Sequence, residues 1–270
     1  MHGTADKATR FLELHRRERP LLLANAWDVG SAKLLAWIGF DALASTSSGH
    51  AASMGRRDYA VGREAALAHA ATLVGASELP VSADFENGFA DDPAGVAETV
   101  RLAGEVGLAG CSIEDWSGER HSLYDFDAAV ARVAAAAEAA HSGAVRLVLT
   151  ARAENYLRGN PDLGDTIARL RAFQDAGADV LYAPALDAPH ELRELLAAVD
   201  APVNVLARPG APTVAELGEL GVSRVSVGGW FAFAAYGAAV EAGRELLQEG
   251  TYGFTQLGGA GGEAAHAAFT

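Results

Sequence analysis

Eight short apolar runs, separated by helix-period segments, constrain this chain more than any other feature. They read LLLAN (21–25), DALAST (41–46), PVSADFE (80–86), GCSIED (110–115), RLVLTARAE (146–154), DVLYAP (179–184), PVNVLAR (202–208) and SRVSVGG (223–229). Between them lie Ala/Leu-rich stretches such as REAALAHAATLVG, PAGVAETVRLAGEVG and PHELRELLAAV. Repeated strand–helix alternation predicts parallel strands, because a parallel pair needs a crossover long enough to hold a helix. Eight such units in roughly 250 residues predict an α/β fold, a (β/α)8 TIM-type barrel formed as a single domain over 1–270. The alternative is an open doubly wound sheet, which usually carries a Gly-rich phosphate turn after its first strand. Here the first run leads into NAWDVGSAK, with no GxGxxG.

The punctuation between the runs agrees. Gly107, Gly177 and Gly221 each follow a helical run and precede a strand, as C-terminal caps do. Thr213 and Glu216 have capping-box spacing, and Pro93 sits where a first helical turn begins. Residues 1–20 hold an extra N-terminal helix ahead of the barrel, at about 4–17. The end of the chain, 255–270, is rich in Gly and Ala and reads as a mobile tail. The segment WFAFAAYGAAVEAGRELL carries aromatics on nearly every face, where a surface helix shows one apolar stripe. Either it is buried against the barrel or it packs on another subunit; the second reading predicts a homodimer or homotetramer through this last helix.

Composition removes several function classes. The formal net charge of −14 leaves no basic footprint for nucleic acid. No 18-residue apolar run is present, so no membrane span is expected. The first twenty residues are charged and lack the apolar block of a signal peptide, which points by default to the cytoplasm. One cysteine, Cys111, excludes an intramolecular disulfide. Only two lysines occur, Lys7 and Lys33, and neither ends a strand-like run. Schiff-base chemistry, which needs a buried lysine, is therefore not expected.

In a barrel the reacting groups come from the C-terminal strand ends, and strand side chains alternate between lumen and helix layer. In VSADFE the apolar set Val81, Ala83 and Phe85 suits the helix layer, which turns Ser82, Asp84 and Glu86 into the mouth. In GCSIED the same rule sends Cys111 and Ile113 outward and Ser112 and Glu114 inward. In the later runs it puts Thr150, Arg152 and Glu154 on one face, and turns Asn204 opposite to Val203 and Val205. Asp84, Glu86 and Glu114 would then converge, and three carboxylates so close repel unless protonated or neutralised. A divalent cation resolves the conflict. An all-oxygen set suits Mg²⁺, or else Mn²⁺, which retain water and leave room for substrate. Zinc fits less well, because the eight histidines show no HxH or HExxH pairing. Taken singly, each carboxylate could instead cap a helix or pair with an arginine. Arg152 could grip a substrate carboxylate with two parallel hydrogen bonds, or form an internal salt bridge to Glu154 or Glu114. Ser47, Ser48 and Gly49 offer hydroxyls and backbone N–H groups to an anionic substrate, or form a plain Ser/Gly loop. That loop runs on to Asp58.

These strand ends resemble the isocitrate lyase/phosphoenolpyruvate mutase superfamily, from about Leu21 through the last helix. The motifs carrying the resemblance are NAWDVGSA, TSSG with the later GRRD, ADFENGF, SIED, TARAEN and VNVLARPGAP. It implies metal-shell roles for Asp84, Glu86 and Glu114, and a substrate-carboxylate role for Arg152. It also implies substrate binding at Ser48 and Gly49, and a catalytic role for Asp58. Members are Mg²⁺-dependent barrels with a swapped last helix that act on small 2-oxo acids through an enolate-like species.

Two departures bear on the reaction. The loop after the fourth strand, WSGERHSLYDF, lacks the cysteine and lysine that isocitrate and methylisocitrate lyases carry there. The sixth strand ends Tyr182-Ala183-Pro184, where phosphoenolpyruvate mutases have a histidine. His121 in the loop, or His50 beside Gly49, is the candidate proton donor, though each could equally be a plain loop histidine. The expected activity is a Mg²⁺-dependent lyase cleaving or decarboxylating a small 2-oxo, 2-hydroxy or dicarboxylic acid. The alternatives are mutase or hydrolase chemistry on a phosphono-acid, and a barrel that binds 2-oxo acids without turnover.

Overall fold

The computed structural model describes residues 3–269. The strands are β1 (Leu21–Ala26), β2 (Ala42–Ser45), β3 (Val81–Asp84), β4 (Gly110–Glu114), β5 (Trp116–Ser117), β6 (Ser122–Leu123), β7 (Val148–Arg152), β8 (Val180–Tyr182), β9 (Val203–Leu206) and β10 (Arg224–Ser226). All but β5 and β6 close into one parallel barrel in chain order, sealed by pairing of β1 with β10. Every one of the eight apolar runs supplies one barrel strand. β5 and β6 form a small antiparallel hairpin over the mouth.

The helices are α1 (Thr4–Leu14), α2 (Val29–Ile38), α3 (Ser47–Ser53), α4 (Arg63–Ala76), α5 (Pro93–Glu105), α6 (Phe126–Ser142), α7 (Leu163–Asp175), α8 (Pro189–Ala198), α9 (Val214–Leu220), α10 (Trp230–Arg244) and α11 (Phe254–Ala268). The expected caps are present. Thr213 and Glu216 form a reciprocal capping box at α9, and Pro93 opens α5. Gly107, Gly177 and Gly221 all have positive φ, the conformation that ends a helix at least cost in glycine.

Two apolar clusters hold the fold. The larger lies between barrel and helices and contains Val81, Ala83, Phe85, Cys111 and Ile113, the outward set of the alternation. The smaller plugs the lower end of the barrel. There α1 inserts Ala8, Phe11 and Leu14 against Leu21, Leu23, Val148 and Val180. Full burial of side chains such as Phe11 contributes roughly 1.5–3 kcal/mol each. The plug closes the bottom, so the lumen opens only toward the C-terminal strand ends.

Two segments differ from the sequence reading, and a third, α10, bears on the alternative left open there. TSSGHAAS, read as a loop, is α3: Thr46 caps it by accepting the Gly49 N–H. The Gly/Ala-rich end, read as a mobile tail, is helical as α11, where alanine favours the helix and no proline interrupts it. The aromatic helix α10 is not buried against its own barrel: only Ala232 is buried along it, while Trp230, Phe233, Tyr236 and Val240 are exposed. Among the described residues no helix is long and apolar enough to cross a membrane.

Candidate active site

The C-terminal ends of the barrel strands surround a chamber of about 210 Å³. Its polar walls are the inward set of the alternation: Ser82, Asp84, Ser112, Glu114, Thr150, Arg152, Tyr182, Asn204, Arg224 and Ser226. Ser47, Ser48, Asp58 and Tyr59 close it from the β2 side, and Arg158 from the β7 side.

Arg152 is the hub. Its Nη1 donates to Asp84 Oδ1 at 2.9 Å, and its Nε and Nη2 donate to Glu154 Oε1 at 3.1 and 2.7 Å. Nη2 also lies 3.0 Å from Glu114 Oε2. The barrel register puts Glu114 directly beside Arg152, which brings these charges together. Burial opposes the guanidinium charge, but Glu154, Glu114 and Asp84 outweigh it and hold the pKa well above the ordinary range. The internal salt bridge and the inward orientation are therefore both present. One Nη1 hydrogen is left over for an incoming group.

Asp84 is also held from the other side. Its Oδ2 accepts the Ser47 hydroxyl at 2.9 Å and the Ser47 backbone N–H at 3.2 Å. Glu114 accepts the Tyr59 phenol on Oε1, with Arg158 at 3.6 Å from the same oxygen. Burial, then the charge of Glu154, pushes the Glu114 carboxyl well above the usual range. Burial and Asp84 likewise raise Asp58, which faces the chamber beside Ser47.

Glu86 departs from the expected face. β3 ends at Asp84, and Glu86 takes a left-handed conformation (φ 48°) in the turn closed by Gly88 N–H on Phe85 O. Strand alternation no longer applies there, so Glu86 leaves the chamber wall and joins a side recess with His50, His69 and Phe89. It remains within the electrostatic cluster: burial, Asp84 and Asp58 push its carboxyl up to about 8. His121 departs further. Pairing of β5 with β6 throws residues 118–121 outward, leaving His121 exposed at the hairpin tip (φ 51°) and outside the chamber lining. His50 stacks on His69 with ring centroids 3.6 Å apart, and also lies outside the chamber. Ser48 lines the chamber, and Gly49 packs behind it, where a Cβ would lie 2.5 Å from Thr46 Cγ2.

Asn204 stands at the floor, donating to Ser226 Oγ at 2.9 Å and accepting from Arg224 Nε at 2.9 Å. Arg224 was not singled out from sequence, although Arg224-Val225-Ser226 obeys the same alternation. It also donates to Thr150 Oγ1 and is held at 3.1 Å by Nε2 of His15, the residue that caps the end of α1. Burial lowers its pKa to about 10. Tyr59 and Arg158 were missed for a different reason: they sit in loops, where no periodicity fixes direction.

The donor set fits Mg²⁺. Among the described residues no three His, Cys, Asp or Glu side chains stand together so as to hold a metal by themselves. Mg²⁺ asks for less, since it retains several waters and takes one or two carboxylates plus substrate oxygens. Asp84 and Glu114 are the two carboxylates on the chamber wall that could supply them. The carboxylates here (Asp58, Asp84, Glu114 and Glu154, with Glu86 alongside) outnumber the chamber's arginines Arg152, Arg158 and Arg224, an excess that proton uptake or an added cation would offset before an anionic substrate enters.

The family profile of the phosphoenolpyruvate phosphomutases matches residues 11–247. A crystal structure from Burkholderia cenocepacia J2315 superposes with a TM-score of 0.91 at 51% identity, covering 94% of this chain and 92% of that one. An uncharacterised protein of Mycobacterium tuberculosis H37Rv is 38% identical over 90% of this chain and 93% of its own length. The oxaloacetate decarboxylase of Paraburkholderia xenovorans LB400 is 31% identical over 78% of this chain and 71% of its own length.

Proposed function

The chain belongs to the phosphoenolpyruvate phosphomutase family, within the isocitrate lyase/phosphoenolpyruvate mutase superfamily of lyases and mutases, and from that premise we propose that it is a Mg²⁺-dependent lyase breaking a C–C bond beside the 2-oxo group of a small dicarboxylic acid. The observation that carries this reading is the chamber's charge pattern. Asp84 and Glu114 flank Arg152 on one wall, so a cation and a guanidinium would face the same small acid. When bound, Mg²⁺ supplies a Lewis acid that takes up negative charge on the 2-oxo oxygen as the neighbouring bond breaks.

The chain's own groups do the rest. Arg152 presents its charge and its remaining N–H to the substrate carboxylate. Ser48 offers a hydroxyl at the rim, and Asn204 a carboxamide fixed by Ser226 and Arg224. Asp58, raised by burial and Asp84, is the chamber group suited to hold or accept a proton. His121 would reach the acid only if the hairpin moved inward. The phosphono-acid reading has less support: among the described residues no lysine or histidine lines the chamber to neutralise the extra charge of a phosphoryl group. We also propose a homo-oligomer assembled through the exposed aromatic face of α10.

Calorimetric titration with oxalate, a stable 2-oxo-acid mimic, tests the site. Binding should require Mg²⁺, disappear with chelator, and weaken at least about tenfold in Asp84→Asn. Binding indifferent to Mg²⁺ would remove the metal assignment. Turnover of oxaloacetate and substituted malates, but not of phosphonopyruvate, would separate the lyase from the mutase.

A further inference from the structure

Tyr59 follows Asp58 in the loop between α3 and α4 and takes a left-handed backbone conformation, φ 63°. For a bulky residue this is an outlier that persists only where the surroundings over-determine it. Here they do. The phenol O–H donates to Glu114, and Arg158 Nη2 donates to the phenol oxygen. The Arg158 guanidinium lies 5.3 Å from the Tyr59 ring centroid and 4.6 Å from that of Trp116, which pins the ring against the hairpin. Gly118 of the same hairpin makes room for it: a Cβ there would lie 2.2 Å from Tyr59 Cδ1.

The ring has a position as well as partners. Tyr59 lines the 210 Å³ chamber and also an outer cleft of about 700 Å³ that runs past Val61, Phe89 and Ala90 to Gly118. It is a partition between the two spaces. We infer that Tyr59 is a specificity-determining residue, a wall that limits the chamber to short acids and keeps longer alkyl substituents out of the adjoining cleft. The inference rests on the 2-oxo acid reading above and deepens it. A hydrocarbon chain entering the cleft would lie along its one apolar side, Val61, Phe89 and Ala90; the rest of the lining is polar, with Arg63, Glu86, Asp91, Asp92 and Glu119.

The test is competition against oxalate, with Mg²⁺ present, by pyruvate, 2-oxobutyrate and 2-oxohexanoate. The readout is the ratio of 2-oxohexanoate affinity to pyruvate affinity. Tyr59→Gly removes the wall and relieves the positive φ. Its ratio should rise at least about tenfold, since a few methylenes gaining contact with Val61, Phe89 and Ala90 are worth that much discrimination. Tyr59→Phe keeps the wall without the hydroxyl and should keep the wild-type ratio. Gly118→Ala presses on the ring from the cleft side with the tyrosine intact, so it opens no path and should not raise the ratio. Oxalate binding that is intact in Tyr59→Gly, with an unchanged ratio, overturns the size limit alone. Wild-type protein that binds no oxalate in Mg²⁺ overturns the reading of the site, and the size limit with it.

Discussion

Replacing His15 with glutamine should flatten the acid limb of the stability profile. His15 is 3% exposed at the barrel floor, between the Phe11 carbonyl at 2.7 Å and the Arg224 guanidinium at 3.1 Å. Burial, then the charge of Arg224, lowers its pKa from 6.5 to about 3. The folded state therefore holds a neutral ring down to acidic pH, while the unfolded chain takes up a proton below 6.5. Between those values the unfolded state binds more protons, so stability rises with pH and is lost as pH falls. Each pH step below 6.5 is worth about 1.4 kcal/mol, so moving from pH 7 to pH 5 removes about 2 kcal/mol through this residue. For a chain of this size that corresponds to a fall of about 3–4 °C in apparent Tm. His69, lowered to about 4 by burial and His50, acts in the same direction in both proteins, so only the difference between them reports His15. Glutamine can serve both hydrogen bonds and does not titrate. The assay is urea and thermal unfolding of wild type and His15→Gln at pH 7 and pH 5. Equal losses in the two proteins would refute the account of the floor.

Two further outcomes follow from the same geometry. Arg152→Met leaves Asp84, Glu114 and Glu154 facing one another without their guanidinium, and should destabilise the protein by roughly 3–5 kcal/mol in urea unfolding; a loss under about 1 kcal/mol would mean the cluster relaxes by taking up protons or water. Light scattering behind size exclusion should show a dimer or tetramer, and Phe233→Glu with Val240→Glu should shift it toward monomer; a wild-type monomer would remove the proposed α10 interface.

Legibility in the sequence followed periodicity. The eight strands were readable because buried parallel strands are short continuous apolar runs set between helices, and alternation then fixed the inward direction of Asp84, Glu114, Arg152 and Asn204. The rule fails where a strand stops. Glu86 lies two residues past the end of β3, and its left-handed turn carries it off the chamber wall. His121 looked central because its loop follows the fourth barrel strand, yet hairpin pairing of Trp116–Ser117 with Ser122–Leu123 aims it at solvent. Arg224 was readable by alternation, but its use depends on α1 bringing His15 beneath it, some 200 residues earlier in the chain.

The sequence by itself determined the barrel, the lumen-facing order of its polar side chains and the family, since all three depend on local patterns of two, three or four residues. Only the tertiary structure decided which of those side chains meet. Arg152 gathers Asp84 and Glu114 because parallel pairing sets β3, β4 and β7 side by side, and Glu154 from two residues further along its own segment. Tyr59 becomes a wall because Arg158, Glu114 and Gly118, from separate segments, fix a loop residue whose direction no repeat encodes.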